Sequence, residues 1–177
     1  AAEDLGPIVP TLLRKLESGM QIAGLTVESF PLPHDAVEHI GLEIHYQNRR
    51  AVIATDLGET TKELENRLKK ADLILIEANH DWDMLVNGPY PAYLKRRVGG
   101  PRGHLSNDDC GELLAKVLQE KPTHIYLGHL SAENNYPQIA QITVANILKQ
   151  RGIPLTGLIK MSVAQRHCVS PAISVSL

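Results

Sequence analysis

The chain has 177 residues, of which 43% are hydrophobic, and a formal net charge of −2 at pH 7. This is the length and apolar content of one folded domain with its own core, and it excludes a disordered chain. Near-neutral charge gives no whole-chain signature of nucleic-acid binding, although a local basic patch is compatible with it; one Trp, one Phe and five Tyr are too few for a base-stacking platform.

Cys110 and Cys168 lie far apart and outside any Cys-x-x-Cys pattern. That argues against a disulfide scaffold or a Cys-rich zinc module and fits a reduced cytosol. The sequence shows neither a signal-peptide pattern nor an apolar run long enough to span a bilayer. A cytoplasmic location without membrane contact is therefore expected.

In chain order, Leu12, Leu13 and Leu16 recur at helical spacing after Pro10, which predicts a short helix ended by Gly19. Residues 22–32 are rich in Ile, Val, Thr and Phe and read as one or two strands. Pro31 and Pro33 close them and leave His34-Asp35 in a loop. Residues 41–46 alternate as a half-exposed strand. A polar turn at 47–50 joins it to Ala51-Val52-Ile53-Ala54-Thr55, a run that predicts a strand buried on both faces and ending at Asp56.

Thr60-Thr61-Lys62-Glu63 has the pattern of a capping box, with Thr60 at the cap and Glu63 reaching back. Residues 71–78 form another apolar strand run that leads into Asn79, His80 and Asp81. The Gly-Pro, Tyr-Pro and Gly-Gly breakers of residues 82–103 predict irregular structure. Ser106 is placed to cap a helix with Asp108 and Asp109 in its first turn and Leu113, Leu114, Val117 and Leu118 on its core face. A strand at 124–127 ends in Gly128-His129. Pro137 opens a last helix that Gly152 stops, and residues 158–175 alternate loosely, as edge strands do. Strand and helix units alternating after initial hairpins predict an α/β fold with a partly parallel sheet.

His34, Asp56, His80 and His129 each follow a strand, and His104 precedes a helix start. Strand ends meet at one rim of a sheet, so these side chains can converge, and imidazole with carboxylate suits Zn, Mn or Fe(II). Each residue also has a plainer reading. A lone His at a strand end is more often structural than a ligand, and Asp56 alone can be a turn or cap residue. Glu77 can be the buried partner of a loop amide. Lys95, Arg96, Arg97 and Arg102 form either a solvated loop or a phosphate-contacting run. Cys110 is read as core, and His39, His45, His124 and His167 as structural.

Taken in order, His34-Asp35-Ala36, Ala54-Thr55-Asp56-Leu57-Gly58, Glu77-Ala78-Asn79-His80-Asp81, Gly103-His104-Leu105-Ser106-Asn107 and Leu127-Gly128-His129-Leu130-Ser131 resemble the metallo-β-lactamase fold superfamily. The stretch Asn79 to Leu85 with Gly88-Pro89-Tyr90-Pro91, and the segment His129 to Asn135, look like its WalJ (YycJ) branch of metal-dependent nucleases. The resemblance spans roughly residues 20–165. It implies the C-terminal part of an αββα sandwich. It also implies a pair of divalent metal ions, Zn or Mn with Fe as an option, held by His34, a bridging Asp56 and His129. His104 would then stabilise charge or transfer a proton, and Asp56 would hold the attacking water. His80 and Asp81 would lie behind the ligands or face substrate, and Lys95, Arg96 and Arg97 would position phosphates.

The sequence departs from that superfamily in one respect: His-x-His-x-Asp-His occurs nowhere in it. By resemblance the chain is expected to be a single domain, residues 1–177, without the β-rich segment that normally comes first. Weak metal binding and no activity of this chain alone are expected. The leading expectation is a phosphodiesterase acting on DNA as an exonuclease. A hydrolase of a small thioester, lactam or phosphoester, or a binding module without catalysis, are the alternatives, since fold does not fix function.

Overall fold

The computed structural model describes residues 15–17, 19–118, 121–155 and 157–173. Of the helix expected after Pro10, residues 11–14 and 18 lie outside the described residues, and residues 15–17 are not helical. Seven strands form one sheet in simple chain order: β1 (Met20–Ile22), β2 (Leu25–Pro31), β3 (Ile40–Tyr46), β4 (Arg49–Ala54), β5 (Leu73–Glu77), β6 (Thr123–Gly128) and β7 (Ile159–Val163). The first four pair antiparallel and β4 to β7 pair parallel. The α/β class and the partly parallel sheet expected from the sequence are both present. Of the loose alternation at 158–175, only β7 is a strand among the described residues, at the sheet edge.

Helices α1 (Lys62–Leu68), α4 (Asn107–Val117) and α5 (Pro137–Gln150) supply the parallel crossovers. Their apolar stripes, Leu64 and Leu68, Leu113, Leu114 and Val117, and Ala140, Val144 and Leu148, bury in one core with Val52, Ala54, Ile74, Ile76, Ile125 and Leu127 of the central strands. Each fully buried Leu or Ile of this layer contributes roughly 1.5–3 kcal/mol of transfer free energy. Cys110 is buried in the same core, as read, and burial pushes its thiol pKa up.

The strand at Ala51 differs from expectation. Val52 and Ala54 are buried under the helices, whereas Ala51 and Ile53 are only half-buried. Leu42 and Ile44 of β3, and Leu73 and Leu75 of β5, share that half-buried face. Its composition is apolar on both sides, but the described helices cover one side, so composition overstated the burial.

Two local expectations also change. The cap of α1 is Thr61, whose hydroxyl accepts from Leu64 N at 3.1 Å, and Glu63 pairs forward with Arg67 instead of back to the cap. Residues 82–103 hold two short helices, α2 (Trp82–Asn87) and α3 (Ala92–Val98), which fit between the Gly-Pro, Tyr-Pro and Gly-Gly breakers. The cap of α2 is Asp81. Ser106 caps α4, accepting from Asp109 N at 3.0 Å, and Pro137 opens α5, both as read.

The direction of the strands sets what comes next. β2 runs the same way as β4, and β4, β5 and β6 are parallel, so the segments after all of them emerge at one rim. His34, Asp56 and His129 are on those segments, Glu77 ends β5, and the loop before α4 brings His104 to the same place.

Candidate metal centre

The rim is built around Glu77, the last residue of β5, which is fully buried. Its Oε1 accepts from His104 Nδ1 at 2.8 Å and from His129 Nδ1 at 2.6 Å. Its Oε2 accepts from Leu57 N at 2.8 Å and Leu105 N at 3.5 Å. Burial alone would raise its pKa, but the bonds from His104 and His129, the charge of His104 and the Leu57 amide outweigh it and hold the carboxyl below its ordinary value. The reading of Glu77 as partner of a loop amide is met by Leu57. Its two imidazole bonds were not visible in the sequence, because they need three separate loops to meet.

These bonds fix the tautomers. An ionised carboxylate only accepts, so His104 and His129 both carry their proton on Nδ1. His34 Nδ1 lies 2.9 Å from Gly103 O. A carbonyl only accepts, so His34 also carries its proton on Nδ1. All three rings therefore present a bare Nε2 lone pair when neutral. The rings follow one another, with centroids 5.1 Å apart from His34 to His104 and 5.3 Å from His104 to His129.

Asp56 faces this row. Its Oδ1 lies 3.4 Å from His129 Nε2 and 3.8 Å from His34 Nε2. It is also 3.8 Å from His104 Nδ1. One donor atom from each of Asp56, Glu77, His104 and His129 falls within 4.8 Å of the others. Two imidazole lone pairs and a carboxylate oxygen turned on one another repel unless a cation lies between them. Ligand atoms about 2.0–2.2 Å from a tetrahedral ion are separated by about 3.3–3.6 Å; Asp56 Oδ1 stands at such a distance from His129 Nε2 and somewhat farther from His34 Nε2, and His34 is not one of the four residues whose donor atoms lie within 4.8 Å of one another. A carbonyl or carboxylate on the far ring nitrogen is the usual way a protein orients a ligating histidine. The donor set thus fits a divalent ion. Without one, the hydrogen bond to Glu77 raises the pKa of His129.

The backbone is specialised at the same places. Asp56 and His129 have φ of +57° and +53°, a left-handed conformation uncommon for a side-chain-bearing residue and tolerated best by Asn, Asp and His. The loops carrying them are tied down. Gly58 N donates to Pro33 O at 3.0 Å, joining the Asp56 loop to the His34 loop. A Cβ on Gly58 would lie 2.5 Å from Gly103 N, and one on Gly103 would lie 2.0 Å from Arg97 O, so both glycines permit the close approach that puts Gly103 O beside His34.

Behind the rim lies a buried amide cluster. Asn135 Nδ2 donates to Ala78 O, Asn79 O and Asn107 Oδ1 at 2.9, 3.0 and 2.9 Å. Asn79 Nδ2 donates to His129 O at 2.8 Å. These bonds lock the loops after β5 and β6 to the start of α4. Sequence alone gives Asn135 and Asn107 no role; their polar character at a helix start is the only signal they carry. His39 also contributes: its Nε2 lies 2.7 Å from Thr55 O and its ring 5.1 Å from that of His34.

Of the residues singled out in the sequence, the fold brings together His34, Asp56, His104 and His129. It keeps the rest apart from that cluster. His80 is completely buried, its ring edge-on to Trp82, and neither ring nitrogen has a hydrogen-bond partner among the described residues. Burial lowers its pKa to about 4. Asp81 caps α2 through Met84 N at 2.9 Å. Lys95 donates to Val86 O at 2.6 Å. Arg97 pairs with Asp35 at 2.5 Å, beside His34, and its hydrogen bond lowers the Asp35 pKa. Arg96 is exposed.

A family model described as a β-lactamase superfamily domain matches residues 7–130. The exodeoxyribonuclease YycJ of Bacillus anthracis is 37% identical over 128 residues, 72% of this chain and 48% of that protein. The exodeoxyribonuclease WalJ of Streptococcus pneumoniae serotype 2 is 39% identical over 126 residues, 71% of this chain and 47% of that protein. The chain thus spans about half the length of the curated relatives it matches. The metallo-β-lactamase fold protein YhfI of Bacillus subtilis superposes with a TM-score of 0.56 at 12% identity, over 85% of this chain and 52% of that one. Among the described residues no helix is long and apolar enough to cross a membrane.

Proposed function

The chain belongs to the β-lactamase superfamily, in the YycJ/WalJ-like branch of the metallo-β-lactamase fold, and from that premise we propose that it carries part of the active centre of a metal-dependent phosphodiesterase that degrades DNA from an end. The observation that carries this reading is the convergence of His34 and His129 Nε2 on Asp56 Oδ1, with their Nδ1 atoms held by Gly103 O and Glu77. The sheet and its three helices form one β-layer and one α-layer of the sandwich.

In this reading His34, Asp56 and His129 hold divalent metal, two ions of zinc or manganese with iron as an option. Bound metal supplies charge neutralisation at the phosphate and activates water near neutral pH. Asp56 would orient the attacking water toward phosphorus. His104 holds a proton at Nε2 for the leaving oxygen, and the Glu77 carboxylate on its Nδ1 balances the charge that the ring then carries. The pair Arg97–Asp35 fixes α3 beside the His34 loop, which leaves Arg96 and Arg102 free to meet the DNA backbone. A cytoplasmic location is part of the same proposal.

A cavity of about 760 Å³ opens beside His129, lined by Leu130, Tyr136, Pro137, Val163 and Arg166 among others. It has room for the terminal nucleoside. Its size also favours a second reading, hydrolysis of a small thioester, lactam or phosphoester at the same centre. End-labelled DNA with Mn²⁺ and the complete protein that includes this chain tests the first reading: cleavage should fall on the order of a thousandfold in Asp56→Ala. Equal cleavage by the two proteins contradicts it, and hydrolysis confined to small esters favours the second.

A further inference from the structure

A second group of metal-capable side chains lies toward the opposite end of the sheet. His45 pairs with Arg50 near the start of β4, whereas Asp56 follows the end of that strand. Glu28 and Glu43 are direct cross-strand partners in β2 and β3, and His45 is two residues beyond Glu43 on the same face. Two acids opposite each other on neighbouring strands repel, so this arrangement needs cations.

Arg67 of α1 is one of them. Its Nη1 donates to Glu43 Oε2 and, at 3.2 Å, to Glu28 Oε2. Its Nη2 donates to Glu63 Oε1 at 3.0 Å, and its guanidinium lies 4.7 Å from the centroid of the Phe30 ring. Arg67 thus consumes the Oε2 atoms of both cross-strand acids and leaves their Oε1 atoms turned to His45. His45 Nε2 is 3.4 Å from Glu43 Oε1 and 3.8 Å from Glu28 Oε1.

The independent sign of a ligand is burial without a partner. The Glu43 side chain is 4% exposed. Its Oε1 and His45 Nε2 are both buried and make no hydrogen bond among the described residues. Arg50 Nη1 forms an ion pair with that oxygen at 3.5 Å, which is not a hydrogen bond. A buried carboxylate oxygen without a hydrogen bond is costly. A cavity of about 650 Å³ bordered by Glu28, Glu43, His45 and Lys70 gives an ion access.

We propose that His45 Nε2, Glu43 Oε1 and Glu28 Oε1 form a second site for a divalent cation of the zinc class, distinct from the Asp56 centre. Arg67 is its positioning residue, since it fixes both carboxylates by their other oxygens, as hydrogen-bond partners behind metal ligands do. Imidazole nitrogen and carboxylate oxygen at this spacing are zinc chemistry, and open positions are left for water. The site staples β2 and β3 together under α1 and needs no part in hydrolysis.

The test is Cd²⁺ binding by calorimetry and ¹¹³Cd NMR on the wild-type chain, His45→Gln, Glu28→Gln and Asp56→Asn. The wild type should show a mixed nitrogen–oxygen cadmium resonance that persists in Asp56→Asn and disappears in His45→Gln. Glu28→Gln, at a more exposed side chain, should keep the fold and weaken that class of sites on the order of tenfold or more. A folded His45→Gln variant with the stoichiometry and affinities of the wild type overturns the proposal. So does a cadmium resonance lost in Asp56→Asn but kept in His45→Gln, and so does full-strength binding in Glu28→Gln. Failure of the Asp56 centre to bind metal leaves the His45 comparison readable.

Discussion

Two histidine–carboxylate clusters occupy this sheet, and they are built differently. At the rim, each residue follows or precedes a regular element, and the imidazoles are aimed from behind by Glu77 and Gly103 O. At the other end, Glu28, Glu43 and His45 sit within strands and are aimed by register and by one arginine from α1. The rim tolerates strained backbone, with Asp56 and His129 at positive φ, because the amide cluster around Asn135 holds its loops. The strand cluster has regular backbone and keeps a buried carboxylate oxygen without a hydrogen bond instead. The difference teaches where orientation comes from: loops and their locks in one case, pairing register in the other.

The sharpest way to break the comparison is to disarm the orienting carboxylate at the rim. Glu77→Gln keeps the shape and removes the charge, so affinity for Zn²⁺ should fall on the order of tenfold to a hundredfold by calorimetry, while Cd²⁺ binding that depends on His45 stays. At the strand cluster, Arg67→Ala removes the cation that Glu43 shares and should destabilise the fold by about 3 to 4 kcal/mol in urea unfolding, since it strands a buried carboxylate.

Acid gives the next effect. His80 is neutral in the fold with a pKa of about 4, below its ordinary value of 6.5. The unfolded chain therefore takes up the proton first. The stability of the neutral state is complete above pH 6.5 and is lost as pH falls toward 4, by about 3 kcal/mol in total. His80→Gln should flatten the unfolding free energy across that window relative to wild type. Smaller still, Asn135→Ala leaves the Ala78 and Asn79 carbonyls without their side-chain donor and should cost about 2 kcal/mol. It acts on the locks of the rim and should leave the Glu28–Glu43–His45 cluster unchanged.

The rim was legible in the sequence because its residues sit at strand ends, where periodicity breaks and position alone predicts convergence. Asp56, His129 and the cap at Ser106 could be placed from local pattern. Glu77 was assigned only its amide partner, since its imidazole bonds depend on loops meeting from residues 57, 104 and 129. The strand cluster was not legible. His45 has no motif around it, and its partner Glu28 is fixed by the register of a hairpin that sequence does not state. Helices α2 and α3 were missed for a different reason. Each is as short as the interval between breakers, so the breakers were read and the turns between them were not. His80 looked like part of the rim by its neighbours, but the extended stretch after β5 turns its ring inward against Trp82.

The most direct test is anomalous diffraction from crystals of the chain equilibrated with Zn²⁺. The account predicts zinc at the Asp56 carboxylate, with peaks about 2.0–2.2 Å from His34 Nε2 and from His129 Nε2, and with His104 Nδ1 still on Glu77. Zinc-replete crystals with no peak at that point, or with His34 and His129 turned so that Nδ1 faces Asp56, would contradict it.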